Sequence, residues 1–97
     1  MKLIEKVLQE LGSPYEIKVI DYEEVIYRKL NSDYDFEVSG ISGKTCTLYV
    51  WALSPKEIVG IYDKIPIESL KDVLGYYAAK YQNLTDGIRV LREDQTV

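Results

Sequence analysis

The spacing of apolar residues changes twice along this chain, and these two changes constrain its fold more than any other feature. Near the start, apolar residues recur every three or four positions, which is the spacing of one face of a helix. From Tyr15 they alternate with polar residues, as in a strand with one buried face, and after Pro66 the helical spacing returns. The sequence therefore predicts a helix, a run of strands and a second helix.

The first helix is predicted over residues 2–11. Its apolar stripe has five members, Leu3, Ile4, Val7, Leu8 and Leu11. Gly12 follows at the position where helix ends favour a left-handed residue, and Pro14 prevents the helix from continuing. A helix of this length is not stable in isolation, so we expect its stripe to pack against the rest of the chain.

Four segments read as strands, and in all but the second the side chains alternate between two faces of different character. They span residues 15–19, 25–30, 34–39 and 45–53. Asn31-Ser32-Asp33 and the glycine-containing stretch 40–43 supply turns between them. In the last of the four, Cys46 and Leu48 share one face, and Tyr49 and Trp51 share the other.

The segment 55–65 fits two structures. Ser54-Pro55-Lys56-Glu57 has the residues of a capping box with proline at the first helical position, which favours a short helix. The same residues also suit a turn into a strand over 58–65, and the β-branched residues there favour this second interpretation.

The second helix begins after Pro66 and carries a long apolar stripe. Its members are Ile67, Leu70, Val73, Leu74, Tyr77, Ala78, Tyr81 and Leu84. Asn83 or Asp86-Gly87 is predicted to end this helix, residues 87–91 to form a last short strand or simply dock, and residues 93–97 to fray.

Together these elements predict one domain over residues 1–97 of the α+β class. The expected architecture has two layers in the order α-β-β-β-β-α, with an antiparallel sheet and both helices packed on one of its faces.

The residue counts argue against most enzyme mechanisms. The chain has no histidine and one cysteine, so it lacks the commonest general base and metal ligand and cannot form an internal disulfide. Cys46 alternates with apolar neighbours, which predicts a buried and inert thiol. The stretch 40–45 ends in Gly-Lys-Thr like a phosphate-binding loop, but Val38 replaces the required first glycine and a strand follows. We therefore expect no catalytic residues, no metal site and no cofactor.

The net charge of −4 comes from one stretch, residues 16–37, which holds seven acidic and three basic residues. Within it Asp33, Asp35 and Glu37 alternate, so on a strand their carboxylates project from one face about 7 Å apart. We expect a solvated strand face whose charges discourage edge pairing, with a cation site or an acidic docking surface as the alternatives. A negative chain disfavours nucleic acid as the partner.

The chain has nine tyrosines, and two sets of aromatic residues among them and Trp51 bear on the fold and the function. Tyr77 and Tyr81 lie on the stripe of the second helix and are expected in the core, with Tyr76 exposed. Tyr49 and Trp51 form an exposed aromatic patch if the helices cover the Cys46 face, and a core if they cover the opposite face. Alternation within one strand does not decide between the two.

The expected function is that of a small, non-catalytic protein-interaction module that binds another protein or itself. Its proposed binding residues are Tyr49, Trp51, Tyr27, Asp33, Asp35 and Glu37. Single-stranded nucleic-acid binding on the aromatic face and inhibition by nucleic-acid mimicry are the alternatives. Glu5 and Glu10 interrupt any apolar signal segment, and no run is long enough to span a bilayer, so we expect a cytoplasmic protein without a membrane partner.

Overall fold

The structure, a computed structural model, describes residues 2–41 and 43–95, and for residues 85–95 it describes only the helical backbone. The elements follow one another as α1 (Leu3–Leu11), β1 (Glu16–Ile20), β2 (Glu23–Lys29), β3 (Tyr34–Ser39), β4 (Thr45–Leu53), β5 (Lys56–Pro66) and α2 (Leu70–Gln95). One turn of 3₁₀-helix (Ile67–Ser69) leads into α2. The predicted α+β class is confirmed.

The sheet is an antiparallel meander in the order β1-β2-β3-β4-β5. It has five strands because the ambiguous segment after Pro55 is a strand, as its β-branched residues favour. This fifth strand lies at the edge and pairs with β4, with two irregularities in its register. At the second of them Val50 pairs with Gly60 and Trp51 pairs with Ile58, so Val59 is an extra residue.

Both helices pack on the face of the sheet that carries Cys46. The buried cluster joins residues of α1 and α2 to residues of β2 to β5, and its members are Ile4, Val7, Ile26, Phe36, Val38, Cys46, Leu48, Val50, Ile65, Leu70, Leu74 and Tyr81. Gly12 ends α1 at φ 70°, and its N–H donates to the Leu8 carbonyl at 2.8 Å, as the sequence predicts. This arrangement leaves Tyr49 and Trp51 on the opposite face, called the open face below.

The hairpin joining β1 to β2 bends over the open face. Its two-residue loop, Asp21-Tyr22, has positive φ at both positions, 52° and 67°, which is the geometry of a tight hairpin turn. Register places Val25 opposite Lys18 on the open face, yet Val25 is only 1% exposed. The open face is therefore concave, with the hairpin tip forming one of its walls.

The backbone of α2 continues past both of its predicted ends, Asn83 and Asp86-Gly87, and reaches Gln95. The predicted short strand over residues 87–91 is therefore wrong, because this segment is helical. One glycine in a helix costs only about 1 kcal/mol, and good helix formers follow it here in Arg89, Leu91 and Arg92. Within the expected frayed tail, positions 96 and 97 lie outside the described residues.

Among the helices the structure describes, none combines the length and the apolar character needed to cross a membrane.

Candidate binding site on the open face

Strand register brings the predicted aromatic and acidic residues into two neighbouring rows on the open face. Tyr27, Glu37 and Tyr49 form the first row across β2, β3 and β4. Asp35 and Trp51 lie opposite each other in the second row, which Ile58 of β5 extends. Five of the six predicted binding residues therefore lie together on one face.

The sixth predicted residue, Asp33, lies apart from these rows. It is exposed in the turn before β3, where its N–H donates to the Asn31 side-chain oxygen at 2.8 Å and its carbonyl accepts from the Leu53 N–H at 3.0 Å. These backbone bonds give Asp33 a role in the turn that holds β3 beside β4.

The three tyrosines of α2 lie as their helical positions predict. Tyr81 is 5% exposed and belongs to the core, Tyr77 packs partly buried against it, and Tyr76 is 66% exposed. Tyr62 of β5 pairs with Leu48 and faces the helices. Its ring stacks on Tyr77 with centroids 3.9 Å apart, and its hydroxyl lies 2.7 Å from that of Tyr81. Tyr27 therefore extends the patch and Tyr62 does not.

A cavity of about 210 Å³ opens at the centre of the open face. Side chains from both rows, the hairpin tip and the start of β5 line it, namely Ile20, Asp21, Tyr27, Asp35, Glu37, Trp51 and Lys56. Three of these, Ile20, Asp21 and Lys56, were not predicted from the sequence. They reach the cavity only because the hairpin bends over the sheet, and local residue patterns do not encode that bend.

Asp35 is the most unusual residue of this cavity, because its carboxylate is buried. The residue is 4% exposed, and its Oδ2 accepts a hydrogen bond from the Tyr27 hydroxyl at 3.0 Å. Its Oδ1 is buried and has no hydrogen-bond partner among the residues that the structure describes. The expectation of a solvated strand face is therefore wrong for Asp35, and β3 is a central strand whose charges protect no edge. A buried polar atom without a partner is rare, because leaving it unpaired costs about 1–3 kcal/mol.

Glu37 and Trp51 form the second polar pair of the cavity. Burial raises the pKa of the Glu37 carboxyl, the indole N–H of Trp51 lowers it, and the carboxylates of Glu23, Asp35 and Asp21 raise it further. The buried Trp51 Nε1 approaches Glu37 without meeting the geometry of a hydrogen bond, so this donor is also left without a full partner. The cavity thus contains a buried acceptor and a buried donor that the described residues do not satisfy.

Tyr27 and two lysines complete the electrostatics. Burial, followed by the hydrogen bond to Asp35, raises the pKa of Tyr27 to about 12, so its hydroxyl remains a donor. Lys18 Nζ lies 3.8 Å from the centre of the Tyr27 ring, and Lys56 Nζ lies 5.5 Å from the centre of the Trp51 ring. The aromatic rings of this face are therefore already in contact with cations of the chain itself.

Other parts of the described chain hold fewer groups that could react or bind a ligand. Cys46 is 3% exposed, as predicted, and burial raises its pKa to about 11, so the thiol is protonated at neutral pH. No cluster of three metal-ligating side chains occurs among the described residues. A second cavity, of about 640 Å³, is lined by residues of β5 and α2. Its lining residues, in the part of the chain described, include no buried polar side-chain atom without a partner.

The raised pKa of Glu37 predicts how stability responds to pH. The folded state disfavours the ionised carboxylate of Glu37. Protonated Glu37 therefore contributes its full stability below the usual pKa of 4.5, and this contribution is lost as pH rises through the raised pKa. We expect Glu37→Gln to unfold at a higher urea concentration than the natural chain at pH 7, with the gap closing below pH 4.5. Glu10→Gln, an exposed change of equal charge, is the control. A gap that is the same across this pH range would contradict the prediction.

Comparison with protein-family models, with curated proteins and with solved structures finds no match to this chain.

Proposed function

We propose that this chain is a small, non-catalytic protein-interaction domain whose open face binds a basic segment of a partner protein. The observation that carries the proposal is the cavity at the centre of that face, where a buried oxygen of Asp35 has no partner. A carboxylate held in this way is costly for the isolated chain, and a ligand that pairs with it removes the cost on binding.

The charge of the open face supports a basic partner. On β1 to β3 this face carries four carboxylates and two lysines, which are Glu16, Glu23, Asp35, Glu37, Lys18 and Lys29. The two carboxylates of β3 lie at its centre. Opposite charges speed encounter and exclude partners of like charge, so an acidic face of this kind favours a positively charged protein segment over nucleic acid.

Two exposed apolar side chains of β5 extend the open face and offer a partner an apolar contact surface. Ile58 is 43% exposed and Ile61 is 58% exposed, and register places them next to Trp51 and Tyr49. A cluster of aromatic and aliphatic side chains next to a polar pocket is typical of the centre of a protein interface, where a few anchors provide most of the binding energy.

The same chain offers few groups for catalysis, which supports a non-catalytic role. With no histidine in the sequence and the Cys46 thiol buried and protonated, an enzyme built on this chain would have to use carboxylates, tyrosines, lysines or hydroxyl groups without an imidazole base. The raised pKa of Glu37 is accounted for by its burial and its carboxylate neighbours, so it does not require a catalytic role.

Site-specific crosslinking in the native cell tests the proposal. We expect Ile58→p-benzoylphenylalanine to crosslink to a partner protein through a segment rich in lysine and arginine, because Ile58 is exposed and pairs with Trp51, which lines the cavity. Tyr76→p-benzoylphenylalanine is the matched control, since Tyr76 is exposed on α2 away from this face. The purified partner should then bind the natural chain, and Trp51→Ala should weaken this binding while Tyr76→Ala leaves it unchanged.

Three results would contradict the proposal. One is equal crosslinking from positions 58 and 76. Another is a crosslinked product that nuclease removes, which would identify nucleic acid as the occupant. The third is a crosslinked dimer of the chain together with a dimer in light scattering that Trp51→Ala dissociates, which would identify a second copy as the occupant.

A further inference from the structure

We infer that the cavity around Asp35 is a binding site for a guanidinium group, the end of one arginine side chain of the partner. The inference rests on the proposed function, since it specifies which chemical group of a basic segment enters the open face. It has its own geometric basis in the walls of the cavity, and it can fail while the wider proposal stands.

Two carboxylates line the cavity. Asp35 is one of them: its Oδ2 accepts from the Tyr27 hydroxyl at 3.0 Å, and its buried Oδ1 has no hydrogen-bond partner among the described residues. Glu37 lines the same cavity. Two carboxylates in one small pocket repel each other, and a cation between them relieves that repulsion while supplying charge-assisted hydrogen bonds.

The shape and hydration of the cation favour a guanidinium over an ammonium. A guanidinium is planar, directs several N–H donors in one plane, and is more weakly hydrated than an ammonium, so it enters a half-buried pocket at lower cost. Trp51 and Tyr27 line the cavity with aromatic rings, on which a guanidinium stacks well. Lys56 and Lys18 lie against these rings, so a bound guanidinium would take the place of one of these lysines or stack on the opposite side of the ring. An ammonium would use fewer of these contacts because it is compact and holds its hydration shell more tightly.

The volume of the cavity suits the end of one long side chain. About 210 Å³ is several times the roughly 30 Å³ that one water molecule occupies in the liquid, so this cavity is larger than the site of a single buried water. It is too small for a folded element or a nucleotide chain, and it suits the end of one long side chain. Lys56 lines the cavity near Trp51 but leaves Asp35 Oδ1 without a partner, so the lysine of the chain itself does not fill this role.

The chain contains a reporter at the site, because Trp51 is its single tryptophan. The indole N–H of Trp51 therefore gives one resonance in an amide correlation spectrum of the intact chain. The probe is N-acetyl-arginine N-methylamide at low ionic strength. We expect it to shift this resonance saturably, with a dissociation constant in the range of about 1 mM that suits a single side chain.

Two further probes separate charge from shape. N-acetyl-citrulline N-methylamide has nearly the same shape without the charge, and we expect it to cause no saturable shift. N-acetyl-lysine N-methylamide keeps the charge without the plane, and we expect it to bind at least several-fold more weakly. Equal binding of the citrulline probe, equal binding of the lysine probe, or no saturable shift with the arginine probe would each overturn the guanidinium site.

Substitution of the carboxylate gives an independent measurement. We expect Asp35→Asn to weaken the arginine probe by about tenfold or more, because it removes a charge-assisted hydrogen bond. Glu10→Gln changes the net charge equally outside the cavity and should bind the probe as the natural chain does. Unchanged binding in a folded Asp35→Asn chain overturns the inference, and if that chain does not fold, the comparison of arginine with citrulline on the natural chain decides.

The crosslinking experiment keeps the two proposals separate. If the partner crosslinks at position 58 and the arginine probe does not bind, the guanidinium site is wrong and the interaction domain stands. If the probe binds and no partner crosslinks, the pocket is real and the proposed function is wrong.

Discussion

Replacing Phe36 with alanine is expected to lower the free energy of unfolding by about 3–5 kcal/mol, the range for removing a fully buried aromatic ring. Phe36 is 0% exposed on the central strand, lies opposite both Arg28 and Val50, and meets the ring of Tyr81 edge to face with centroids 6.4 Å apart. Its removal leaves a cavity between the sheet and α2. Because small domains are stable by only about 5–15 kcal/mol, a large fraction of the total is lost.

Urea unfolding followed by circular dichroism measures this change. The midpoint should fall by roughly 2 M, given the usual dependence of stability on urea for a chain of this size. Tyr76→Ala is the matched control, since it removes an aromatic ring that is 66% exposed and should change stability by about 0.5 kcal/mol or less. Similar midpoints for the two variants would show that the assigned core is wrong.

Replacing Gly60 with alanine is expected to destabilise the chain by about 1–3 kcal/mol, because there is no room for a methyl group at this position. A Cβ on Gly60 would lie 2.6 Å from the Tyr81 hydroxyl oxygen and 2.9 Å from Cε2 of Tyr62. These two tyrosines share a hydroxyl–hydroxyl hydrogen bond of 2.7 Å. Burial is the largest cause that raises the pKa of Tyr81, and this hydrogen bond raises it further. Accommodating the methyl group requires either breaking this pair or moving α2 away from β5.

Two comparisons make the Gly60 prediction specific. Gly75→Ala is the same substitution at an exposed helical position with no atom within 4 Å, and it should stabilise the chain by about 0.5–1 kcal/mol. In the Tyr81→Phe background, Gly60→Ala should lower the free energy of unfolding by less, because the Tyr81 hydroxyl that lies closest to the new methyl group is absent. The difference between the two destabilisations measures the coupling between positions 60 and 81. A Gly60→Ala chain as stable as the natural one would contradict the close approach of β5 to α2.

The concavity of the open face bears on its choice of partner. A protein that stacks bases on a sheet needs aromatic rings open to solvent and basic residues around them. Here the Trp51 Nε1 is buried in a cavity lined by three carboxylates and one lysine. This chemistry favours a cationic side chain over a base, and it is the reason we propose a basic protein segment as the partner.

Much of the fold could be predicted from the sequence because local patterns encode local structure. The alternation from Tyr34 to Ser39 requires a strand, and Gly12 at φ 70° ends α1 where the pattern predicts. The end of α2 could not be predicted in this way. Asp86-Gly87 is a common stop signal, but its cost is small enough for neighbouring helix formers to offset.

The sequence by itself determined the α+β class, the two helices and the first four strands in their order. Only the tertiary structure decided that the helices cover the Cys46 face, because alternation is symmetric and burying either face satisfies it. Only the tertiary structure placed the hairpin tip over Asp35 and Trp51, since this contact joins residues far apart in the chain. A carboxylate expected in water is buried for that reason, and our proposal of a binding site rests on that burial.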